Sequence, residues 1–310
     1  MILVAGLTPA WQQILSFDSF RHGEVNRAHE SHWCASGKVL NVGLALARLG
    51  VPACTLSPVG GWSREPIEEQ FQAAGARAEW IVTSAPTRVC TTILDPSRNE
   101  TTELVENAAA LSAAELSLYA SRFRTLAAEA AQSERGVIVY TGSLPKGTPP
   151  TIVSELLADV KLPAVLDIRG AELRAALPCR PKLVKPNAEE LSHTVGRELN
   201  DESEVIVAAQ ELIALGAESV LISRGPQPAL LVTAERTWRL TPARNEPVVN
   251  PIGCGDCLTA GIAWGLDMGR TLVESVRLGM GAASDNLIDL RPACLDRARV
   301  ERLAESVVVE

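Results

Sequence analysis

At 310 residues, 46% of them hydrophobic, the chain can bury one large core with at most a small appendage. Its formal net charge of −8 and pI near 5.2 argue against general nucleic-acid or membrane-surface binding, so an anionic ligand must be met by locally placed Arg and Lys. Seven scattered cysteines, an odd number, make no disulfide framework. With no basic leader ahead of Ile2 and no bilayer-length apolar run, a reducing cytoplasm is the expected setting.

Residues 2–6 are apolar without alternation and read as a buried strand, ended by Thr8-Pro9-Ala10-Trp11. Residues 20–33 are polar with weak strand character. An amphipathic helix is expected over 37–50, stopped by glycine, then a strand at 54–59 and a helix at 65–74. Residues 88–94 and 101–105 alternate well enough to pair. A long helix follows over 112–132, with Ser112 as N-cap and Glu115 three residues on. Short buried strands at 137–140, 164–167, 183–185 and 220–223 then alternate with helical stretches near 150–160, 188–195 and 203–215. That rhythm predicts a mostly parallel sheet covered by helices on both faces. The polar-strand regions at about 11–35 and 87–107 interrupt it and suit a small β-sheet lid within a single folded unit.

The chain is organised around Asn250-Pro-Ile-Gly-Cys-Gly-Asp-Cys257, followed by a helical pattern marked by Leu258, Ile262 and Leu266. Glycines before a helix leave backbone N–H groups free to face an anion. Asp256 reads on its own equally well as an N-cap. A dinucleotide fingerprint would need glycine at Leu258, and a P-loop around Lys38 would need Ser or Thr at Val39 and glycine at His32.

Gly253-Cys254-Gly255-Asp256 resembles the Gly-Ala-Gly-Asp signature of the phosphofructokinase-B (PfkB) sugar kinases. The resemblance covers nearly the whole chain. It implies a ribokinase-like α/β fold: a three-layer core with a mostly parallel sheet and a small β-sheet lid. It also implies that residues 253–255 form the anion hole for the transferred phosphate, and that Asp256 takes the proton of the attacking sugar hydroxyl. Ala35-Ser-Gly37-Lys38-Val-Leu-Asn41-Val42 resembles the segment that closes on the sugar, with Ser36 and Val39 replacing two glycines. Gly142-Ser143-Leu-Pro145 matches a loop bordering the substrate.

Lys185-Pro-Asn187-Ala-Glu-Glu190 matches the family's Asn-x-x-Glu motif, which organises Mg²⁺ and the triphosphate of ATP largely through water; in isolation the same residues read as a helix start. Ser223-Arg224-Gly225 resembles a nucleotide turn whose final glycine is here Pro228. Residues 279–286, ending at Asn286, would flank adenine or simply allow tight helix packing. Arg27, Lys38 and Arg88 fall where relatives that act on phosphosugars hold the existing phosphate, a task suited to Arg and Lys. Gln12 stands where the family carries an Asp that reads sugar hydroxyls; its amide is neutral and both donates and accepts.

The implied activity is ATP- and Mg²⁺-dependent phosphorylation of a small sugar. The acceptor branch is tagatose-6-phosphate, fructose-6-phosphate or fructose-1-phosphate, and a homodimer through the lid follows from the resemblance alone. The alternatives are a kinase of an unphosphorylated sugar or nucleoside, or a catalytically silent sugar-phosphate binder. Cys254-x-x-Cys257 has no second pair for a metal site. A helix N-terminus is expected to lower the Cys254 thiol pKa and make it oxidation-sensitive, with ATP protecting it. His29-x-x-His32 reads as a surface feature of the lid.

Overall fold

The computed structural model describes residues 1–243 and 248–310. In chain order these form β1 (Ile2–Ala5), β2 (Ala10–Ser16), β3 (Glu30–Ser36), α1 (Lys38–Arg48), β4 (Ala53–Gly60), α2 (Arg64–Ala73) and β5 (Arg77–Thr83). Next come β6 (Arg88–Asp95), β7 (Glu100–Val105), α3 (Ala113–Ala131), β8 (Val137–Thr141), α4 (Ile152–Leu157), β9 (Ala164–Asp167) and α5 (Gly170–Ala176). Then β10 (Leu183–Val184), α6 (Ala188–Val195), α7 (Glu202–Ala214), β11 (Ser219–Ile222), β12 (Ala229–Thr233) and β13 (Thr237–Thr241) follow. The chain closes with α8 (Cys254–Asp267), α9 (Leu272–Asn286), α10 (Arg297–Glu305) and β14 (Val308–Val309).

The large sheet has the order β14-β13-β12-β11-β10-β9-β8-β1-β4-β5. From β11 across to β5 every neighbouring pair is parallel; β12, β13 and β14 add an antiparallel edge. Helices cover both faces, which is why the strands are apolar on both sides. Along β1, Ile2 and Val4 point to one core with α1, α8 and α9, while Leu3 and Ala5 point to the other with α3, α4 and α7. α1 follows the amphipathic rule: Val39, Leu40, Val42, Ala45 and Leu46 are buried, and each large apolar side chain removed from water contributes roughly 1.5–3 kcal/mol. α3 opens on the expected capping box, Ser112 with Glu115. α8 and α9 touch backbone to backbone, since a Cβ on Gly261 would lie 2.6 Å from the Cα of Gly279. The small residues near 279 thus serve helix packing.

A second sheet of order β3-β2-β6-β7 stands apart from the large one. Its strands begin or end within a few residues of β1, α1, β5 and α3, so several chain crossings tether it to the body. Among the described residues no helix is long and apolar enough to cross a membrane.

Candidate active site

Parallel α/β sheets place ligands beyond the carboxyl ends of their strands, and the charged residues here gather at that edge. Asp167 ends β9, Lys185 follows β10, Ser223 follows β11, and the α8 N-terminus faces them across a cleft of about 440 Å³. The small sheet forms the opposite wall. Of the residues singled out above, Gln12, Gly37, Lys38, Asn41, Arg88, Lys185, Asn187, Glu190, Ser223, Gly225, Gly253, Gly255 and Asp256 line this one cleft.

Asp256 sits in the first turn of α8, and the N-cap is Gly253 with no side-chain cap, so the carboxylate is free of the capping role. It is 7% exposed and accepts a hydrogen bond from Asn41 Nδ2 at 2.7 Å. Burial first, and the nearby Asp167 charge second, push its pKa up from 3.8 to about 6 against the pull of Lys38, Asn41 and Lys185. That is the range of a carboxylate useful as a base at neutral pH. Asn41 is 2% exposed, and its Oδ1 has no partner among the described residues.

The turn itself is set by its glycines. Gly253 has φ +84, and a Cβ there would come within 2.7 Å of Pro292 Cβ. Cys254 N–H donates to Pro251 O and Asp256 N–H to Gly253 O, while the Gly253 and Gly255 N–H groups have no acceptor among the described residues. Two donors therefore remain for an anion at the helix end. Lys185 Nζ lies 3.6 Å from the position a Cβ would take on Gly255, adding a full positive charge at the turn.

Asp167 was read from sequence only as the end of a buried strand, yet it is the electrostatic centre of the cleft. It is 1% exposed and pairs with Lys38 Nζ at 2.8 Å and Lys185 Nζ at 3.3 Å. Burial opposes its charge, but Lys185 and Lys38 together hold the carboxyl below the usual carboxylate range. Lys38 also pairs with Glu190 at 3.2 Å. Burial works against its ammonium, but Asp167, Glu190 and Asp256 keep it well above the usual lysine range. Lys38 is therefore committed to the carboxylates beside Asp256. The only sequence signal for Asp167 was an acid at the end of an apolar strand.

Asn187 and Glu190 form a reciprocal capping box on α6, so the helix-start reading holds as well as their placement on the cleft. Among the described residues no three His, Cys, Asp or Glu side chains converge to hold a metal unaided. Glu190 with Asn187 does fit a hydrated Mg²⁺ that takes most of its ligands from water and phosphate oxygens. Ser223 is held in register with Asn187 by a parallel bridge. Where the family glycine is replaced, the Pro228 carbonyl accepts from Arg224 Nε at 2.6 Å.

On the small sheet, Gln12 Nε2 donates to Thr92 Oγ1 at 2.7 Å. Arg88 lines the cleft, but its guanidinium also reaches the carbonyls of Pro9, Thr8 and Glu106 at 3.3, 3.2 and 3.1 Å. Glu103 joins Arg88 at this end of the cleft.

Arg27, Ser143, Cys254 and Asn286 are not among the cleft's lining residues. Arg27 is exposed on the segment before β3. Ser143 is exposed on the loop after β8, its carbonyl accepting from Thr8 Oγ1 at 3.1 Å. Asn286 is buried beneath the turn, donating to Ile252 O at 2.8 Å and Cys254 Sγ at 3.4 Å and accepting from Ala293 N at 2.8 Å. The expected low-pKa thiol at Cys254 is corrected: burial pushes it up to about 11, outweighing the Asn286 hydrogen bond. His29 and His32 each face a carboxylate, Asp18 and Glu30, on the surface.

A family model described as pfkB family carbohydrate kinase matches residues 2–287. The chain is similar to a 1-phosphofructokinase of Rhodobacter capsulatus, 30% identical over 313 residues and covering 100% of this chain and 97% of that one. An ATP-dependent 6-phosphofructokinase isozyme 2 of Mycobacterium tuberculosis is 31% identical over 308 residues, covering 98% and 89%. Among solved structures, phosphofructokinase-2 from Escherichia coli in complex with fructose-6-phosphate superposes with a TM-score of 0.83 at 26% identity, covering 99% of each chain. With that match spanning nearly its whole length, the chain belongs to the pfkB family of carbohydrate kinases.

Proposed function

We propose that this sugar kinase transfers the γ-phosphoryl group of ATP to a hydroxymethyl group of a small ketose phosphate, with Asp256 as the general base. The observation that carries the reading is Asp256 itself: buried, raised to about 6, and set in the helix turn whose free N–H groups and Lys185 await an anion. The sugar oxygen bonds to the γ-phosphorus as its proton passes to Asp256, and the bond from that phosphorus to the β–γ bridging oxygen breaks, leaving ADP. The Gly253 and Gly255 N–H groups and Lys185 meet the charge on the transferring phosphoryl oxygens. Asn41 steadies the base and presents an unpaired Oδ1 to a neighbouring sugar hydroxyl.

Asn187 and Glu190 would organise a hydrated Mg²⁺, which supplies charge neutralisation at the phosphates when bound. Ser223 and Gly225 border the nucleotide end of the cleft, and Gln12 offers its carbonyl to the sugar. The small sheet acts as a lid that keeps water from the γ-phosphate, and it is read as the homodimer contact. The names of the phosphofructokinase relatives support a phosphosugar acceptor.

A second reading draws on one observation. Arg88 is largely occupied by backbone carbonyls and has Glu103 beside it, a setting that also suits an unphosphorylated sugar. ADP release with ATP and Mg²⁺, measured over a panel of sugars and sugar phosphates beside Asp256→Asn, decides between them. Turnover on a phosphosugar that disappears in the variant supports the first reading. Turnover confined to unphosphorylated sugars, with Arg88→Ala neutral, supports the second, and sugar-independent behaviour refutes both.

A further inference from the structure

Asp167 has a geometry that neither the base nor the anion turn explains. Its two oxygens are divided between two cations: Oδ1 takes Lys38 at 2.8 Å and Oδ2 takes Lys185 at 3.3 Å. Thr259 Oγ1, one turn into α8 beyond the base, lies 3.4 Å from Oδ2. One carboxylate thus connects the ends of β9 and β10 to the starts of α1 and α8. It lines the cleft at only 1% exposure, with both oxygens already engaged.

We propose that Asp167 is a positioning residue for phosphoryl transfer, holding the ammonium groups of Lys38 and Lys185 as a fixed pair beside the path of the transferred group. Two like charges on flexible four-carbon stems would separate and sample many rotamers. A buried acid between them removes both tendencies, so the positive field is in place before the reaction begins. Lys38 shows why the second anchor matters. Its other partner, Glu190, lies on the metal side of the cleft; if Glu190 is drawn toward a cation, Asp167 still retains Lys38. Lys185 is 4% exposed at its side chain and lies next to Gly255, and Asp167 is the one acid among the described residues within ion-pair distance of it.

The proposal rests on the reading of Asp256 as base, and the experiment separates the two. Steady-state kinetics are measured on the full chain for wild type, Asp167→Asn, the double variant Lys38→Met/Lys185→Met, and the triple variant. Asp167→Asn should lower kcat by about 100-fold, the order of one misplaced electrostatic group, with KM for ATP and sugar changed by less than about threefold. On the double-variant background the same substitution should change kcat by less than about threefold, because an anchor with nothing to hold has no further effect.

The pH profile adds a readout that a packing role would not move. Asp256 faces Asp167 from β9, Lys185 beyond β10, and Lys38 and Asn41 from α1. Removing the acid while the cations remain should shift the acidic limb of kcat/KM to lower pH. Asp167→Glu, which keeps the charge and so protects folding, moves both ammonium groups and should also lower kcat. A wild-type kcat in Asp167→Asn or Asp167→Glu overturns the proposal, as does a full further loss on the double-variant background. Turnover lost in Asp256→Asn upholds the base independently, so those results would remove the positioning role alone.

Discussion

A buried carboxylate kept half-protonated near pH 6, as the proposed base Asp256 is, must cost the fold something, and Asp256→Asn should reveal that cost. Burial raises this carboxyl from 3.8 to about 6, so between those values the native state binds a proton that the unfolded chain has released. Stability contributed by this site therefore falls as pH rises through that window, and the whole penalty is present above about pH 6. Its size at neutral pH is about 3 kcal/mol, and below pH 3.8 it vanishes. Asn at this position carries no charge to desolvate. After a flip of the Asn41 amide, its unpaired Oδ1 can accept from the new side chain. The Asp256→Asn variant should thus be more stable than wild type by up to about 3 kcal/mol at pH 7.5, roughly 5 °C in Tm for a chain of this size. At pH 5 the gap should shrink to about half. Urea or thermal unfolding of both proteins at the two pH values measures it. A variant no more stable than wild type at pH 7.5, or a gap that ignores pH, would refute the account of Asp256 as a desolvated base.

Four further outcomes follow from the same geometry. The rate kcat/KM should rise with pH through about 6, as Asp256 loses its proton, and fall roughly tenfold below its plateau by pH 5; a flat profile from 5 to 7.5 contradicts the assignment. Gly253→Ala forces a side chain onto φ +84 and against Pro292, and should cost about 1–3 kcal/mol of stability and most of kcat, read by thermal unfolding and ADP release. Arg88→Ala should raise KM for a phosphosugar at least tenfold while leaving an unphosphorylated sugar unchanged, the order expected for losing a charge-assisted phosphate contact. Cys254 should alkylate slowly at pH 7, because its thiol is pushed up to about 11; rapid, ATP-sensitive labelling would restore the reactive-thiol expectation.

The parts of this site legible in the sequence are those where chemistry depends on neighbours in the chain. Gly253 to Asp256 announces a turn, an anion hole and an acid within four residues, and Asn187 with Glu190 lie one helical turn apart. Asp167 escaped because its meaning comes from Lys38 and Lys185, 129 and 18 positions away in sequence, and locally it is just the last residue of an apolar strand. Lys38 was recognised as functional but assigned to the substrate phosphate; only the packing of α1 against the β9 edge shows it spent on carboxylates. Asn286 and Arg27 lie off the cleft lining in opposite directions. Asn286 turns inward to brace the Gly253 turn, and Arg27 stands in solvent outside the cleft. The alternation of strands and helices predicted the layered core. The antiparallel edge of β12, β13 and β14 carried no comparable rhythm.

The two walls of the cleft divide the physical work. The body wall is charged and rigid: Asp167, Lys185 and Asp256 are at least nine-tenths buried, and their positions are set by strand ends and a helix start. The small sheet presents mainly neutral or already engaged groups, Gln12 bound to Thr92 and Arg88 bound to the carbonyls of Thr8 and Pro9 between β1 and β2. A charged wall that moved would have to rebuild its field at every turnover, at the reorganisation cost that catalysis must avoid. A wall whose few charges, Arg88 and Glu103, are mostly engaged would serve as the proposed lid at less electrostatic cost and still exclude water when shut. Trp11, Trp33 and Trp62 lie at the junction of the two, with ring centroids 6.1–6.4 Å apart. They give the proposed lid role a direct optical probe: a closing movement over Asp256 would alter the packing of the indoles that join β2 and β3 to the body.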